Sequence, residues 1–245
     1  MNFNDRTVLI TGAARRIGRA IAISLAESGA NVIVHYRTSE DEALDLSEQI
    51  QEKGVKAWLV RADLKRDWDL NRLLPEAIEK AGRIDYLINN AGIFPSGSLE
   101  ELELNQLSTN IQINSWAPFY LARAFKQSFD RGKIINLLDT RVAGYDWKHA
   151  GYYVSKVILA RLTKMMAIKF SPDFTVNGVA PGLILPPEGL GEEYLEKRTD
   201  RVPLQKHGKE NDVAEAVSYL LDSSFVTGQI IYVDGGRNLL HELEG

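Results

Sequence analysis

Short apolar runs rich in β-branched residues alternate along this 245-residue chain with longer segments that have helical spacing. Strand, helix, strand alternation predicts parallel strands joined by right-handed crossovers, with helices on both faces of the sheet. Strands covered on both faces are continuously apolar rather than alternating, as these runs are. The pattern predicts an α/β fold with a doubly wound parallel sheet of about seven strands, from the runs TVLI at 7–10, NVIVHY at 31–36, KAWLV at 56–60, IDYLIN at 84–89, KIINLL at 133–138, FTVNGVA at 174–180 and QIIYVD at 229–234.

The length of the chain is sufficient for one complete core, so we predict a single domain over residues 1–245. The segment 183–200, LILPPEGLGEEYLEKRTD, contains two prolines and two glycines. It follows the sixth predicted strand, where parallel sheets place their ligands. We predict that this segment is a substrate loop or lid rather than a linker between domains.

Charge and residue content exclude several classes of function. The net charge of -4 argues against nucleic acid as the main partner, because such binding needs a clustered basic face. The absence of cysteine excludes disulfides and zinc-thiolate sites, and the four histidines lack metal-ligand spacing, so we expect no metal. No run approaches the roughly 18 apolar residues of a membrane span, and the N-terminus does not resemble a signal peptide. We expect a cytoplasmic protein that binds neither membrane nor nucleic acid.

The segment after the first strand, TGAARRIGRAIA, places one glycine at the strand end and another at the start of a helix. Gly12 and Gly18 allow the backbone to approach a pyrophosphate, which the unpaired N–H groups and the dipole of a helix N-terminus attract. Ile17 belongs to the same turn. The turn indicates a dinucleotide site of the Rossmann type, although a tight strand-to-helix turn without a ligand would use the same glycines.

Arginines near this turn favour NADP over NAD. Arg16 stands where the usual pattern has its middle glycine, and Arg15 precedes it. Guanidiniums suit a doubly ionised 2′-phosphate, whereas NAD is recognised by an acidic residue at the end of the second strand. That strand end has no acidic residue and offers His35, Tyr36, Arg37 and Ser39. The alternative is that Arg15 and Arg37 are solvated surface charges.

Tyr152 and Lys156 are four residues apart at the start of a helical segment, so their side chains share one helix face. Lowering a tyrosine pKa from about 10 by about 3 units requires roughly 4 kcal/mol. A unit charge about 4 Å away supplies roughly that amount at an effective dielectric of about 20. The pair could therefore transfer protons near neutrality, unless the two residues simply share a helix surface.

These motifs, in this order, resemble the short-chain dehydrogenase/reductase family over essentially the whole chain. The resemblance adds to TGAARRIG the pairs Asp63-Leu64 and Pro181-Gly182, the NNAG of 89–92, Asn114 and the YYVSK of 152–156. It implies that Tyr152 exchanges the substrate proton, that Lys156 holds the nicotinamide ribose and tunes the tyrosine, and that Asn114 positions a relay water. Further cofactor contacts are implied for Ala62, Asp63, Leu64, Asn90, Ala91, Gly92, Pro181, Gly182 and Leu183. Subunit pairing through segments 103–127 and 152–170 implies a homotetramer.

Asp139 occupies the position where most of that family carries a serine. An ionised carboxylate would repel the charge developing on a ketone oxygen and would raise the tyrosine pKa. It can instead take part in protonating the nitrogen of a carbon–nitrogen double bond. With Arg16 and Phe94, Asp139 resembles the pteridine and dihydromonapterin reductase subgroup, although Gly92 departs from the serine that many of its members carry. Phe94 could alternatively be a packing residue, and Asp139 a helix-capping one.

This resemblance implies an NADPH-dependent reductase that converts a dihydropterin to a tetrahydropterin. Its predicted substrate-binding residues are Arg16, Phe94, Asp139, Tyr152 and Gly182. One alternative enzyme is a ketoreductase acting on 3-oxoacyl or alicyclic carbonyls. A further alternative is an NADPH-binding redox sensor without turnover, although such a sensor would not need both Tyr152 and Lys156.

Overall fold

Seven parallel strands form one sheet in a computed structural model that describes residues 1–187 and 189–240. The strand order is β3-β2-β1-β4-β5-β6-β7, so the chain reverses direction across the sheet between β1 and β4. The predicted doubly wound α/β fold is confirmed, with strand bounds within two residues of the predicted runs. The strands are β1 Thr7–Ile10, β2 Asn31–Tyr36, β3 Ala57–Arg61, β4 Tyr86–Asn89, β5 Gly132–Leu137, β6 Phe174–Pro181 and β7 Ile230–Val233.

Helices cover both faces of this sheet and bury its apolar side chains in two large clusters. One cluster packs α1 and α8 against each other and against the sheet, and the other packs α3, α5 and the end of α6 against the opposite face. A π-helical turn, Gln112–Trp116, joins α4 to α5. The helices are α1 Arg16–Glu27, α2 Glu40–Glu52, α3 Asp67–Ala81, α4 Leu104–Ile111, α5 Ala117–Ser128, α6 Ala150–Phe170, α7 Glu193–Glu196 and α8 Glu210–Asp222.

The predicted loop at 183–200 packs on itself through a small apolar cluster. Leu183, Leu195 on α7 and Val202 bury one another, with Tyr194 partly buried beside them. Within this loop Glu188 lies outside the described residues, as do residues 241–245 of the predicted domain. Over the described part of the chain, no helix has both the length and the hydropathy needed to cross a bilayer.

Candidate active site

A cleft of about 440 Å³ opens at the carboxyl ends of β1, β2, β4 and β5, next to the point where the strand order reverses. Ligands of doubly wound sheets bind at this position. Six lining residues were not among the predicted ones: Ala14, Thr38, Ile93, Ile113, Leu137 and Leu138. The predicted residues that line the cleft are Gly12, Arg15, Arg16, Ile17, Gly18, His35, Tyr36, Arg37, Ser39, Ala62, Asp63, Leu64, Asn90, Ala91, Gly92, Phe94, Tyr152, Lys156 and Pro181.

The turn between β1 and α1 depends on its glycines for shape. Gly12 has a φ of +62°, and a Cβ on Gly18 would collide with the Gly12 carbonyl oxygen and lie 2.6 Å from Asn90 Nδ2. Arg16 also keeps a positive φ of 56°, a backbone conformation that favours glycine. The Asn90 amide donates to the carbonyl oxygens of Thr11 at 2.9 Å and Gly12 at 3.0 Å. The turn therefore has a preset shape with room for a ligand close to its backbone.

His35 is almost fully buried and forms a hydrogen bond with this turn. The Gly12 N–H donates to His35 Nδ1 at 3.0 Å, and His35 Nε2 lies 3.1 Å from the Ala62 carbonyl oxygen. Nδ1 must therefore accept and Nε2 must donate, which requires a neutral ring. Burial lowers the pKa of His35 to about 4, in agreement with this tautomer. His35 lines the cleft at its base and positions the turn between β1 and α1.

The end of the cleft next to β2 suits an anionic ligand. Arg15, Arg37 and Ser39 line it, and Asp63 is the one acidic side chain among the described lining residues. The exposed Arg15 lies 3.9 Å from Glu42, a separation at which a surface pair contributes little. These residues fit an NADP 2′-phosphate, because positive charge predominates where an NAD site would present a carboxylate.

Tyr152 donates a hydrogen bond to Asp139 Oδ2 at 2.8 Å. Lys156 Nζ donates to the Leu137 carbonyl oxygen at 2.7 Å and lies 5.8 Å from the centre of the Tyr152 ring. Burial and then Asp139 raise the pKa of Tyr152 well above 10, while burial lowers the pKa of Lys156 to about 8. The spacing of Tyr152 and Lys156 predicted a lowered tyrosine pKa. That direction is wrong for this structure, because burial and Asp139 together outweigh the lowering effect of the Arg141 guanidinium on the pKa of Tyr152.

Asp139 is the first member of an ion-pair network that the sequence did not reveal. Arg141 donates to it twice, from its backbone N–H at 2.8 Å and from Nη1 at 3.0 Å. Arg141 Nε also pairs with Asp146 at 2.6 Å, and Asp146 lies 3.0 Å from His149 Nδ1. Asp146 has no exposed side-chain surface, so these contacts hold a buried charge. The spacing of Asp146 and His149, three apart before the Tyr152 helix, was the available signal.

Phe94 lies at the mouth of the cleft, in contact with Tyr152. Its ring meets Tyr152 edge-on with centres 4.6 Å apart, and His149 stacks on it at 4.1 Å. The Arg141 guanidinium lies 5.0 Å from the ring centre. Phe94 remains 45% exposed, which leaves aromatic surface available to a flat ligand.

Asn114 lies behind the cleft, fully buried in the π-helical turn. Its Oδ1 accepts from the Ile93 N–H at 2.9 Å, and its Nδ2 donates to the Ile93 carbonyl oxygen at 3.1 Å and to Ser155 Oγ at 3.0 Å. It thereby fixes the loop that carries Phe94. A Cβ on Gly92 would lie 3.0 Å from Asn114 Oδ1, which explains why glycine suits that position. A relay water on Asn114 stays a prediction.

Two predicted cofactor contacts lie outside the cleft. Gly182 packs against Asp234, where an added Cβ would come within 2.5 Å of the Asp234 Cβ. Leu183, the first residue of the 183–200 loop, is buried against Leu195 and Val202. Of the predicted segment Pro181 to Leu183, Pro181 alone lines the cleft, because the chain turns away from it at the end of β6.

Known proteins resemble this chain over nearly its whole length. A family described as Enoyl-(Acyl carrier protein) reductase matches residues 12–238. The 3-oxoacyl-[acyl-carrier-protein] reductase FabG of Staphylococcus epidermidis is 32% identical over 240 residues, 95% of this chain and 98% of that protein. FolM Alternative dihydrofolate reductase 1 from Brucella canis, complexed with NADP, superposes with a TM-score of 0.91 at 31% identity over 99% of this chain and 98% of that one. The angucycline C-6 ketoreductase LanV with bound NADP superposes with a TM-score of 0.90 at 29% identity, covering 97% of both chains.

Proposed function

Because the chain belongs to the short-chain dehydrogenase/reductase family and is an NADP-dependent oxidoreductase, we propose that it reduces a dihydropterin to a tetrahydropterin. The observation that carries this proposal is the 2.8 Å hydrogen bond from Tyr152 to the Asp139 carboxylate. The NADP-bound Brucella canis reductase, whose name gives dihydrofolate as substrate, is also consistent with it.

The residues that would hold the cofactor surround the cleft from the β1–α1 turn to α6. Gly12 and Gly18 would face the pyrophosphate, Arg15 and Arg37 the 2′-phosphate, and Lys156 the nicotinamide ribose. When bound, NADPH supplies the hydride. The buried ammonium of Lys156, already held by the Leu137 carbonyl oxygen, is oriented before any ligand arrives.

Tyr152 is suited to donating a proton rather than removing one. Burial and Asp139 raise its pKa well above 10, so the phenol stays protonated at neutral pH. As hydride reaches the carbon of a C=N bond, the π electron pair moves to nitrogen and makes it strongly basic. A weak acid can protonate such a nitrogen, and Tyr152 then regains its proton from solvent.

Asp139 favours a carbon–nitrogen substrate over a ketone. A serine at this position would donate its hydroxyl proton to a carbonyl oxygen, whereas an ionised carboxylate can only accept. Asp139 accepts two hydrogen bonds from Arg141, so its oxygens act as acceptors in this site. A pterin ring has N–H groups that can donate hydrogen bonds to a carboxylate. Its flat face suits the exposed aromatic surface of Phe94.

The second candidate is the reduction of a ketone, favoured by the identity with FabG and by the similarity to LanV. Steady-state NADPH oxidation with dihydromonapterin, dihydrobiopterin and an acetoacetyl thioester separates the two. We expect kcat/KM for a dihydropterin to exceed that for the thioester. Turnover of the thioester alone would replace the pterin proposal with the ketoreductase.

We also propose a homotetramer, because α6 and the π-helical turn expose apolar side chains. Trp116 is 41% exposed, Met165 63% and Ile168 82%. Covering these side chains would remove apolar surface from water. Light scattering coupled to size-exclusion chromatography should give four times the chain mass, and a monomer would contradict this.

A further inference from the structure

Arg237 begins a short 3-10 turn, Arg237–Leu239, just after β7, and its side chain is partly buried. Within residues 1–187 and 189–240 its guanidinium makes no hydrogen bond or ion pair. Burial lowers the pKa of Arg237, and the cations Arg141 and Arg201 lower it further. Asp139 and Tyr194 only partly oppose them. A partly buried cation beside a second cation is unfavourable until an anion joins them.

Asp234 holds the two turns that carry these arginines together. Its carboxylate accepts from the backbone N–H groups of Gly236 at 2.9 Å and Asn238 at 2.7 Å, and also from the Thr140 hydroxyl. Thr140 begins the 3-10 turn Thr140–Ala143, which includes Arg141 and follows Asp139. Arg237 is therefore fixed next to the residue that binds the catalytic tyrosine.

The acidic groups around Arg237 already have partners. Asp139 and Asp146 both pair with Arg141, and Asp234 is occupied by the donors that join the two turns. The segment that follows the 183–200 loop lies on the other side, where the Leu204 N–H donates to the Gly235 carbonyl oxygen at 3.2 Å. Arg237 thus lies between the turn Thr140–Ala143 and the predicted substrate loop, with its positive charge uncompensated among the described residues.

We propose that Arg237, with Arg141 beside it, binds an anionic group on the side chain of the substrate, either a carboxylate or a phosphate. A guanidinium forms paired hydrogen bonds with both. The phosphates of the cofactor belong to the β1 and β2 side of the sheet, whereas Arg237 follows β7 at the opposite edge. That the substrate contains a pterin ring rests on the proposed function, whereas the anion site does not depend on it.

The first test compares substrates that share a dihydropterin ring. Dihydrobiopterin has a neutral side chain, dihydrofolate carries carboxylates, and dihydroneopterin phosphate carries a phosphate, so the three distinguish the source of the charge. For Arg237→Gln we expect KM to rise about tenfold for at least one charged substrate, about 1.4 kcal/mol, with kcat within about twofold. KM for dihydrobiopterin should stay within about twofold, and Arg237→Lys should recover part of the loss.

Arg72→Gln on α3 is the matched control, because it removes an equal charge from a surface ion pair with Glu76 outside the cleft. It should leave all three KM values unchanged. The anion site would be overturned if Arg237→Gln changed KM equally for the neutral and the charged substrates, or if it changed none of the KM values. A shift in the oligomeric mass of Arg237→Gln would also overturn it, because Arg237 would then act at a subunit contact.

The second test does not depend on pterin turnover. Calorimetric titration of the NADP-saturated protein with inorganic phosphate and with 4-aminobenzoyl-glutamate measures the anion site directly. We expect Arg237→Gln to weaken binding of at least one probe about tenfold. Binding that depends on Arg237 without pterin turnover would leave the anion site standing and reject the proposed function. Pterin turnover by the unaltered protein, together with unchanged binding of both probes by Arg237→Gln, would support the proposed function and overturn the anion site.

Discussion

Replacing Asp139 with serine tests whether the carboxylate, rather than a hydroxyl, suits this enzyme to its substrate. The side chain of Asp139 is 14% exposed, accepts from Tyr152 at 2.8 Å and caps the turn Thr140–Ala143 by accepting from the Arg141 N–H. Serine is also an effective N-cap, so we expect the fold to survive the change. Any change in activity then reports on the chemistry at Tyr152.

The expected magnitude follows from the hydrogen bond that is lost. Hydrogen bonds to charged groups contribute about 1.5–3 kcal/mol, which corresponds to a factor of about 10 to 150 in rate. We expect kcat/KM for a dihydropterin to fall by about 10- to 100-fold in Asp139→Ser. We expect kcat/KM for a ketone to rise about tenfold, because the new hydroxyl can donate to a carbonyl oxygen.

The pH profile supplies a readout that a purely structural role would not change. Asp139 raises the pKa of Tyr152, so its removal should shift the alkaline limb of kcat to lower pH. Asp130→Ser removes an exposed aspartate as a matched control and should change neither the rate nor the profile. The reasoning is refuted if Asp139→Ser keeps the pterin rate within about twofold, or if pterin and ketone rates fall together.

Three further predictions concern the supporting residues. Arg141→Met leaves the fully buried Asp146 without its cation and should lower the free energy of unfolding by about 3 kcal/mol in urea titrations; a loss below about 1 kcal/mol would contradict this. The pKa of His35 is about 6.5 in the unfolded chain and about 4 in the folded protein, so the unfolded chain binds a proton first as the pH falls. The free energy of unfolding should therefore decrease as the pH falls from about 6.5 to about 4. Between pH 7 and pH 4.5 the loss should be about 2.5 kcal/mol, and His35→Asn should not show it; parallel urea titrations at these two pH values would reject the assignment if both proteins lost the same amount. Arg37→Ala should raise KM for NADPH about tenfold and leave KM for NADH unchanged, and equal increases would show that Arg37 does not contact the 2′-phosphate.

Local patterns were sufficient to predict the sheet. Continuous apolar runs predicted all seven strands, because strands covered by helices on both faces have no polar side. Gly12 and Gly18 predicted the tight turn between β1 and α1, because close backbone approach excludes a side chain there.

The pKa shifts and the charge neighbours of the site could not be predicted without the three-dimensional structure. The spacing of Tyr152 and Lys156 gives the helix face that they share but not the burial that reverses the expected pKa shift. Arg237 is far from Arg141 in the chain, and only the packing of their turns around Asp234 brings them together. Leu183 follows a predicted cofactor motif, yet tertiary packing buries it against Leu195 and Val202.

The central claim, preference for the carbon–nitrogen double bond of a pterin over a ketone, is tested most directly by competition for labelled hydride. The protein would be given NADPH deuterated at C4 together with equal concentrations of dihydromonapterin and an acetoacetyl thioester, and both products analysed by mass spectrometry. The ratio of labelled products reports the ratio of the two kcat/KM values. We predict that deuterium enters mainly the tetrahydropterin; deuterium found mainly in the hydroxyacyl thioester would contradict the account.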